Sequence, residues 1–403
     1  MPKVRSVTVH RAAIPLRQTI RHASHERVAN DTLLVRTELS DGSVGWGEGL
    51  PREYVTGETI DTAWSDADRL ERFVGANVST LSDAVRLVDG LSIDDAGPRD
   101  CRGNSVRCAW DISVLDAVTR SLGRPIAAAL DAISLPADPA AMPLLRSPQR
   151  VRYSAVLPAA STARKAIWRA VRMRAFDMQN IKVKLGVDGH DDETTLRRYR
   201  RWLGERVGRV DANEAWTAAE LPAKLSMLAR NGVFVCEQPL PHASVADLDG
   251  TALRNGGDEP VSIMLDESFC TRTDLDAAVR HRRANLFNIR LSKCGGLIAS
   301  LRLLRAIRNA SSNALPLGAM LGCQVGETAI LSAAGRAFAS RTIGLLAVEG
   351  SYDRFLVGEP LGVEDITFRR GGWSDPLPGP GLGITIDDAA IERVSCERKT
   401  FGG

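Results

Sequence analysis

No uninterrupted apolar run in this chain is long enough to span a bilayer, which excludes a helical membrane protein. The first twenty residues, MPKVRSVTVHRAAIPLRQTI, hold no apolar core of signal-peptide length. Cysteine is sparse and scattered, at 101, 108, 236, 270, 294, 323 and 396, with no CxxC pair, so neither a zinc site nor a disulfide framework is indicated. The formal charge of +3 over 403 residues is too small to argue for nucleic acid or a membrane surface as partner. These absences leave the expectation of a soluble, cytoplasmic protein acting on a small molecule. With 44% apolar and 25% charged residues the composition is that of a globular chain.

Lysine is the scarcest charged residue. Of 52 basic residues only Lys3, Lys165, Lys182, Lys184, Lys224, Lys293 and Lys399 are lysine. Arginine stays protonated, whereas a buried lysine can give up its proton. Where nearly every cation is arginine, a lysine in an apolar run therefore stands out. Lys182 and Lys184 lie in NIKVKLG, two residues apart, on one face of a strand-like segment.

From about residue 150 short apolar runs alternate with helix-like segments. The runs are VRYSAVL, NIKVKLG, GRVDANEAW, VFVCEQPL, VSIMLDES, LFNIRLSKCGG, LPLGAMLGCQ and IGLLAVEG. Eight strand-then-helix units point to an α/β barrel. The steps from Lys184 to Asp211, Glu237, Asp266 and Lys293 are 27, 26, 29 and 27 residues, each about one unit. Residues 1–134 read instead as an α+β domain, with strands joined at the SDGS turn and followed by helices. The Pro- and Ala-rich stretch 135–149 reads as a linker, 150–356 as the barrel, and 357–403 as a segment returning to the first domain.

Active sites of such barrels lie at the C-terminal strand ends. There Asp211, Glu237 and Asp266 come from three successive strands, an arrangement whose repulsion a divalent cation relieves. Hard carboxylate oxygens suit Mg²⁺, with Mn²⁺ as the alternative. Strands two and six of eight are diametrically opposed, so Lys184 and Lys293 face one another across the mouth. A base on each face of a substrate carbon suits removal and return of the proton α to a carboxylate, with Lys182 offering electrostatic support to the enediolate. Each residue alone has a plainer reading, as helix N-cap (Asp211, Asp266), solvated strand end (Glu237), turn lysine (Lys293) or sheet-edge lysines (Lys182, Lys184).

These motifs, KVK at 182–184, VDANEAW at 210–216, EQPL at 237–240, LDES at 265–268 and SKCGG at 292–296, resemble the enolase superfamily, specifically its muconate-lactonizing-enzyme subgroup. WGEGLPREYVTGET and PGPGLGI are also similar to family patterns. The resemblance implies a (β/α)7β modified TIM barrel with an α+β capping domain. It implies Mg²⁺ on Asp211, Glu237 and Asp266, acid/base roles for Lys184 and Lys293, and Asn213 ordering the metal shell. It also implies lid loops around Arg21–Glu26 and Val55–Thr59. Gly322-Cys323-Gln324 stands where mandelate racemase-like relatives carry histidine. VEGSYD stands where dipeptide epimerases carry Asp-x-Asp, so Glu349 replaces the first aspartate, Ser351 the second, and Asp353 is displaced. Glu327 matches an acidic position after strand seven and reads equally as a substrate contact or a helix cap. The expected activity is racemisation, epimerisation or cycloisomerisation by a homo-oligomer. The alternatives are β-elimination on the same site, a Schiff-base aldolase with one lysine as nucleophile, and a barrel that binds without catalysis.

Overall fold

The structure, a computed structural model, describes residues 1–21, 26–93, 101–135, 143–160, 162–254 and 261–403. Eight parallel strands form its centre: Ala155–Leu157, Ile181–Lys184, Val207–Asp211, Val235–Glu237, Ser262–Leu265, Leu286–Ile289, Gly318–Leu321 and Leu345–Val348. They pair in sequence order, and the Ser154 N–H donates to the Val348 carbonyl (2.8 Å), joining the first edge to the last. Buried Ile181 and Val183 face outward against the helices, as strands covered on both faces require.

Above the barrel lies an antiparallel sheet in the order Ser395–Gly402, Val4–Arg21, Glu26–Leu39, Val44–Gly49. The C-terminal segment thus completes the cap: Ser6 pairs with Gly402 and Val9 with Lys399. The WGEG motif has a packing cause. Gly45, Gly47 and Gly49 line one face of their strand, and the long cap helix Asn104–Ser121 lies directly on them. A Cβ at these positions would sit 2.2, 1.9 and 2.0 Å from carbonyl oxygens of Ser113, Ala109 and Ser105. Any side chain there would push the helix away.

Two buried acids from the cap hold the barrel by its helix N-termini. Glu48 accepts from the Thr328 and Leu331 N–H groups (2.9 and 3.1 Å), where helix Ala329–Arg341 begins. Asp111 accepts from the Ile298 N–H (2.9 Å), in the first turn of helix Leu297–Ala310. Unpaired helix N–H groups are natural sites for such carboxylates. PGPGLGI clasps the cap helix, with the Leu382 N–H donating to Asp116 (2.7 Å).

One expectation changes. The second half of the 135–149 linker is bound rather than loose: the Ile343 N–H donates to the Leu144 carbonyl (2.8 Å) and the Arg146 N–H to the Arg341 carbonyl (2.8 Å). Residues 136–142 of it lie outside the described residues. At the expected lid Val55–Thr59, Val55 and Thr56 belong to the short helix Glu53–Thr56 and are buried, and the Val55 carbonyl accepts from the barrel's Cys270 Sγ (3.9 Å). Residues 22–25 of the other expected lid lie outside the described residues.

Candidate active site

The strand register sets the acidic row. Lys184, Asp211 and Glu237 are the last residues of strands two, three and four, and Lys184–Asp211 and Asp211–Glu237 are direct Cα partners. Asp266 follows strand five by one residue. Gln238 ties the fourth strand end to the fifth, its Oε1 accepting from the Asp266 N–H (2.9 Å) and its Nε2 donating to Ser268 Oγ (2.8 Å). Lys293 is not at a strand end, as the sequence suggested. It lies on the helical turn Leu291–Cys294, four residues beyond strand six. Gly295 and Gly296, at φ +88° and +105°, turn the chain out of it through the left-handed region that favours glycine.

The two lysines of NIKVKLG live in different surroundings. Lys182 is buried, and its Nζ meets Glu237 (2.9 Å), Glu349 (3.0 Å) and Asp211 (3.4 Å). Burial works to neutralise this ammonium, but Glu237, Glu349 and Asp211 outweigh it and raise its pKa above the ordinary lysine value. Burial works to raise Glu237 likewise, and Lys182 and Arg290 hold it down at about 2. Lys184 is half-buried and makes no hydrogen bond or ion pair with a described residue.

Lys293 is fully enclosed. Its Nζ donates to Asp266 Oδ1 (2.9 Å), to the Asn288 carbonyl (2.9 Å) and to the Asp266 carbonyl, and lies over the Phe269 ring. Burial lowers its pKa below the ordinary value. Arg290 also pairs with Asp266.

Among the described residues, no three acidic, histidine or cysteine side chains converge as a ready-made metal cluster. The reason is local. Asp266 is turned to Arg290 and Lys293, and Glu237 to Lys182 and the Asn288 amide (2.8 Å). The donor chemistry nevertheless fits Mg²⁺: three buried carboxylates on adjacent strand ends, all hard oxygens. Negative charge also piles up beside them. Glu267 is pushed up to about 8 by burial and then by Asp211, Glu214 and Glu237. Asn213 orders Asp211 through its backbone, the N–H donating to Oδ1 (3.0 Å) from a left-handed φ of 44°.

Sequence reasoning set arginine aside as uninformative, and this is corrected by Arg209 and Arg290. Arg209 is buried inside the barrel, bonded to Ser154 Oγ (2.8 Å), Asn180 Oδ1 (3.1 Å) and Glu349 Oε1 (3.2 Å). Glu349 is therefore held between Arg209 and Lys182. The signal was in the spacing: Arg209 precedes Asp211 by two, and Asn288 precedes Arg290 by two, the same strand period that joins Lys182 to Lys184.

The strand seven and eight side is different. Glu327 accepts from Ser332 Oγ (3.1 Å) and the Gln324 N–H (3.2 Å), within one buried turn. Burial raises its pKa well above the ordinary carboxylate range, and Glu48 and Asp353 add to the shift. Burial likewise pushes Glu48 up to about 7 and Asp353 to about 6.

Residues 162–390 match the family model described as enolase C-terminal domain-like. The chain is 28% identical to an L-Lys-D/L-Arg epimerase of Methylococcus capsulatus over 96% of this chain and 100% of that one. The crystal structure of an N-succinyl Arg/Lys racemase from Bacillus cereus superposes with a TM-score of 0.82 at 20% identity, covering 99% of each chain. That of a dipeptide epimerase from Cytophaga hutchinsonii, complexed with Mg and the dipeptide D-Ala-L-Val, superposes with a TM-score of 0.78 at 20% identity, covering 99% of this chain and 100% of that one. The model match spans more than half of the chain and takes in Lys182, Lys184, the three strand-end carboxylates and Lys293, so the chain belongs to the enolase C-terminal domain-like family of the enolase superfamily.

Proposed function

We propose that this isomerase of the enolase superfamily removes the proton α to the carboxylate of a small acid and returns it, racemising or epimerising that carbon. One observation carries the reading: Lys184 ends strand two and Lys293 sits on the helical turn that follows strand six of eight, on the opposite wall, with a row of buried carboxylates on the arc between them. An amine on each side of the carbon can take the proton from one face and deliver one to the other. Lys182 is tied to three carboxylates and serves as a fixed positive charge beside the substrate, not as a base. Arg209 and Lys182 hold Glu349, and Glu349 and Glu327 border the substrate from the strand seven and eight side.

Asp211, Glu237 and Asp266 would hold Mg²⁺, which when bound supplies positive charge that steadies the negative charge left by proton removal. The magnesium in the Cytophaga epimerase structure supports this. Residues 1–134 and 357–403 form the cap over a catalytic barrel of 150–356, acting in the cytoplasm. The test is α-deuterium incorporation in D₂O across dipeptides, N-acyl amino acids and dicarboxylates, with Mg²⁺. At least one class should exchange, and Lys184→Ala and Lys293→Ala should each stop exchange from one face. Unchanged exchange in both variants sinks the two-base reading. Borohydride trapping of substrate on a lysine would point to an aldolase instead.

A further inference from the structure

A buried guanidinium ordinarily has a carboxylate beside it, because an unpaired charge away from water is costly. Arg52 departs from this. It is 5% exposed, and its Nη1 donates to the Asp31 and Pro51 carbonyls (3.1 and 2.7 Å), while its Nη2 is buried with no partner among the described residues. Arg27, half-buried, is a second case. Its Nη2 donates to Tyr54 Oη (3.1 Å), its guanidinium lies over the Tyr54 ring at 5.6 Å, and its Nη1 is likewise buried with no partner among the described residues. The two cations are near enough to disturb one another: burial brings the Arg52 pKa down to about 10, and the Arg27 charge adds to that shift. Among the described residues neither arginine forms an ion pair. Asp31 and Glu53 are exposed, Glu58 accepts from Ser105 Oγ (2.7 Å), and Glu48 is bound to the N–H groups of Thr328 and Leu331.

The pair is anchored at the barrel mouth. The Leu50 N–H, two residues before Arg52, donates to Ser292 Oγ (2.8 Å), beside Lys293. The Asn30 amide, three residues beyond Arg27, donates to the Val325 carbonyl (3.2 Å), four residues past strand seven. The bond from Arg52 to the Asp31 carbonyl links these two anchor points. Both arginines thus belong to the side of strands six and seven, the side of Lys293. Asp211, Glu237 and Asp266 lie at the ends of strands three to five.

We infer that Arg27 and Arg52 receive a second anionic group of the substrate, a carboxylate at the far end of its acyl or side chain. This rests on the proposed proton transfer beside the first carboxylate. With that carboxylate toward strands three to five and the reacting carbon between Lys184 and Lys293, the remaining substituent runs toward strands six and seven. Two guanidiniums with unused N–H groups match the two oxygens of a carboxylate. A carboxylate there supplies the partner that both cations lack, and a neutral or cationic end leaves them unpaired. The substrate class is then an N-acyl amino acid or dipeptide with an acidic end.

Compounds that differ only at that end test it. Calorimetric titration of the full chain with Mg²⁺ compares N-glutaryl-alanine and N-adipoyl-alanine with their terminal amides, and N-acetylglutamate with N-acetylglutamine. The best acid of the set should bind about 10–100-fold tighter than its amide. Arg52→Met and Arg27→Met should each bring that ratio toward one, and Arg52→Lys should recover part of it. Thermal melts show whether each variant folds, and half-buried Arg27 carries the test where Arg52→Met does not. α-Deuterium exchange of the same compounds in D₂O reads the proposed reaction separately. A binding preference for the acid without exchange overturns the proposed reaction and keeps this inference. Exchange without a preference overturns the inference and keeps the reaction, and absence of both overturns both. A preference that survives both arginine substitutions puts the anion elsewhere and overturns the inference as well.

Discussion

The two sides of the barrel mouth handle buried charge in opposite ways. On the arc from strand two to strand six, carboxylates and cations alternate: Asp211 and Glu237 with Lys182, Asp266 with Arg290 and Lys293. Among the described residues Lys184 is left without a partner there. Beside strands seven and eight, Glu48, Glu327 and Asp353 are buried near one another, and burial raises all three above the ordinary carboxylate range. One side pairs most of its charges, while on the other burial disfavours the charged form of its acids. A buried ionised group persists only beside an opposite charge, and an acid without one stays neutral. On the proposed reading proton transfer takes place on the charged arc, and the strand seven and eight side is its wall.

Breaking the charged arc should have the largest consequences. Lys184→Ala and Lys293→Ala are each expected to slow isomerisation by about 10²–10⁴-fold. ¹H NMR in D₂O, starting from each epimer separately, checks this, and loss confined to one starting epimer per variant is the expected signature. Chelation by EDTA should abolish exchange, and added Mg²⁺ should restore it. Recovery with no added divalent ion would count against the assigned ligands.

Removing Arg209 tests whether pairing also holds the barrel together. Arg209→Met leaves Glu349 with Lys182 as its only cation among the described residues and should cost about 3–5 kcal/mol. The shift of the denaturation midpoint measures it.

The neutral side should respond more weakly, and through pH. Glu48 goes from an ordinary 4.5 to about 7 because burial disfavours its charged form. The folded chain therefore holds a proton that the unfolded chain has lost between those values, so stability falls as pH rises from about 4.5 to about 7. Glu48→Gln should flatten that part of the curve, seen as a smaller Tm difference between pH 5 and pH 7.5. A slope identical to wild type would show that Glu48 titrates normally. Smallest of all, Glu327→Gln replaces an acid held neutral by its near-isostere. It should change stability by less than about 1 kcal/mol and kcat/KM by less than tenfold. A larger loss would mean that Glu327 acts as an anion.

Most of the charged arc was legible because strand period and unit length are local properties. A two-residue spacing paired Lys182 with Lys184, and steps of 26–29 residues put the carboxylates on successive strands. Arg209 and Arg290 do not stand out in the sequence because arginine is common throughout this chain. The neutral wall was illegible, since Glu48, Glu327 and Asp353 are separated by up to some 300 residues and carry no shared period.

The sequence by itself determined the repeating strand–helix unit, the residue type at each strand end and the family. These follow from local hydrophobic pattern and from motifs a few residues long. Only the tertiary structure decided which charges meet. It placed Lys293 on a glycine-terminated helical turn, gave Glu349 to Arg209 and Lys182, and bound the cap to the barrel through Glu48 and Asp111. Such pairings depend on distances between segments remote in the chain, and those distances exist only once the barrel has closed and the cap has docked.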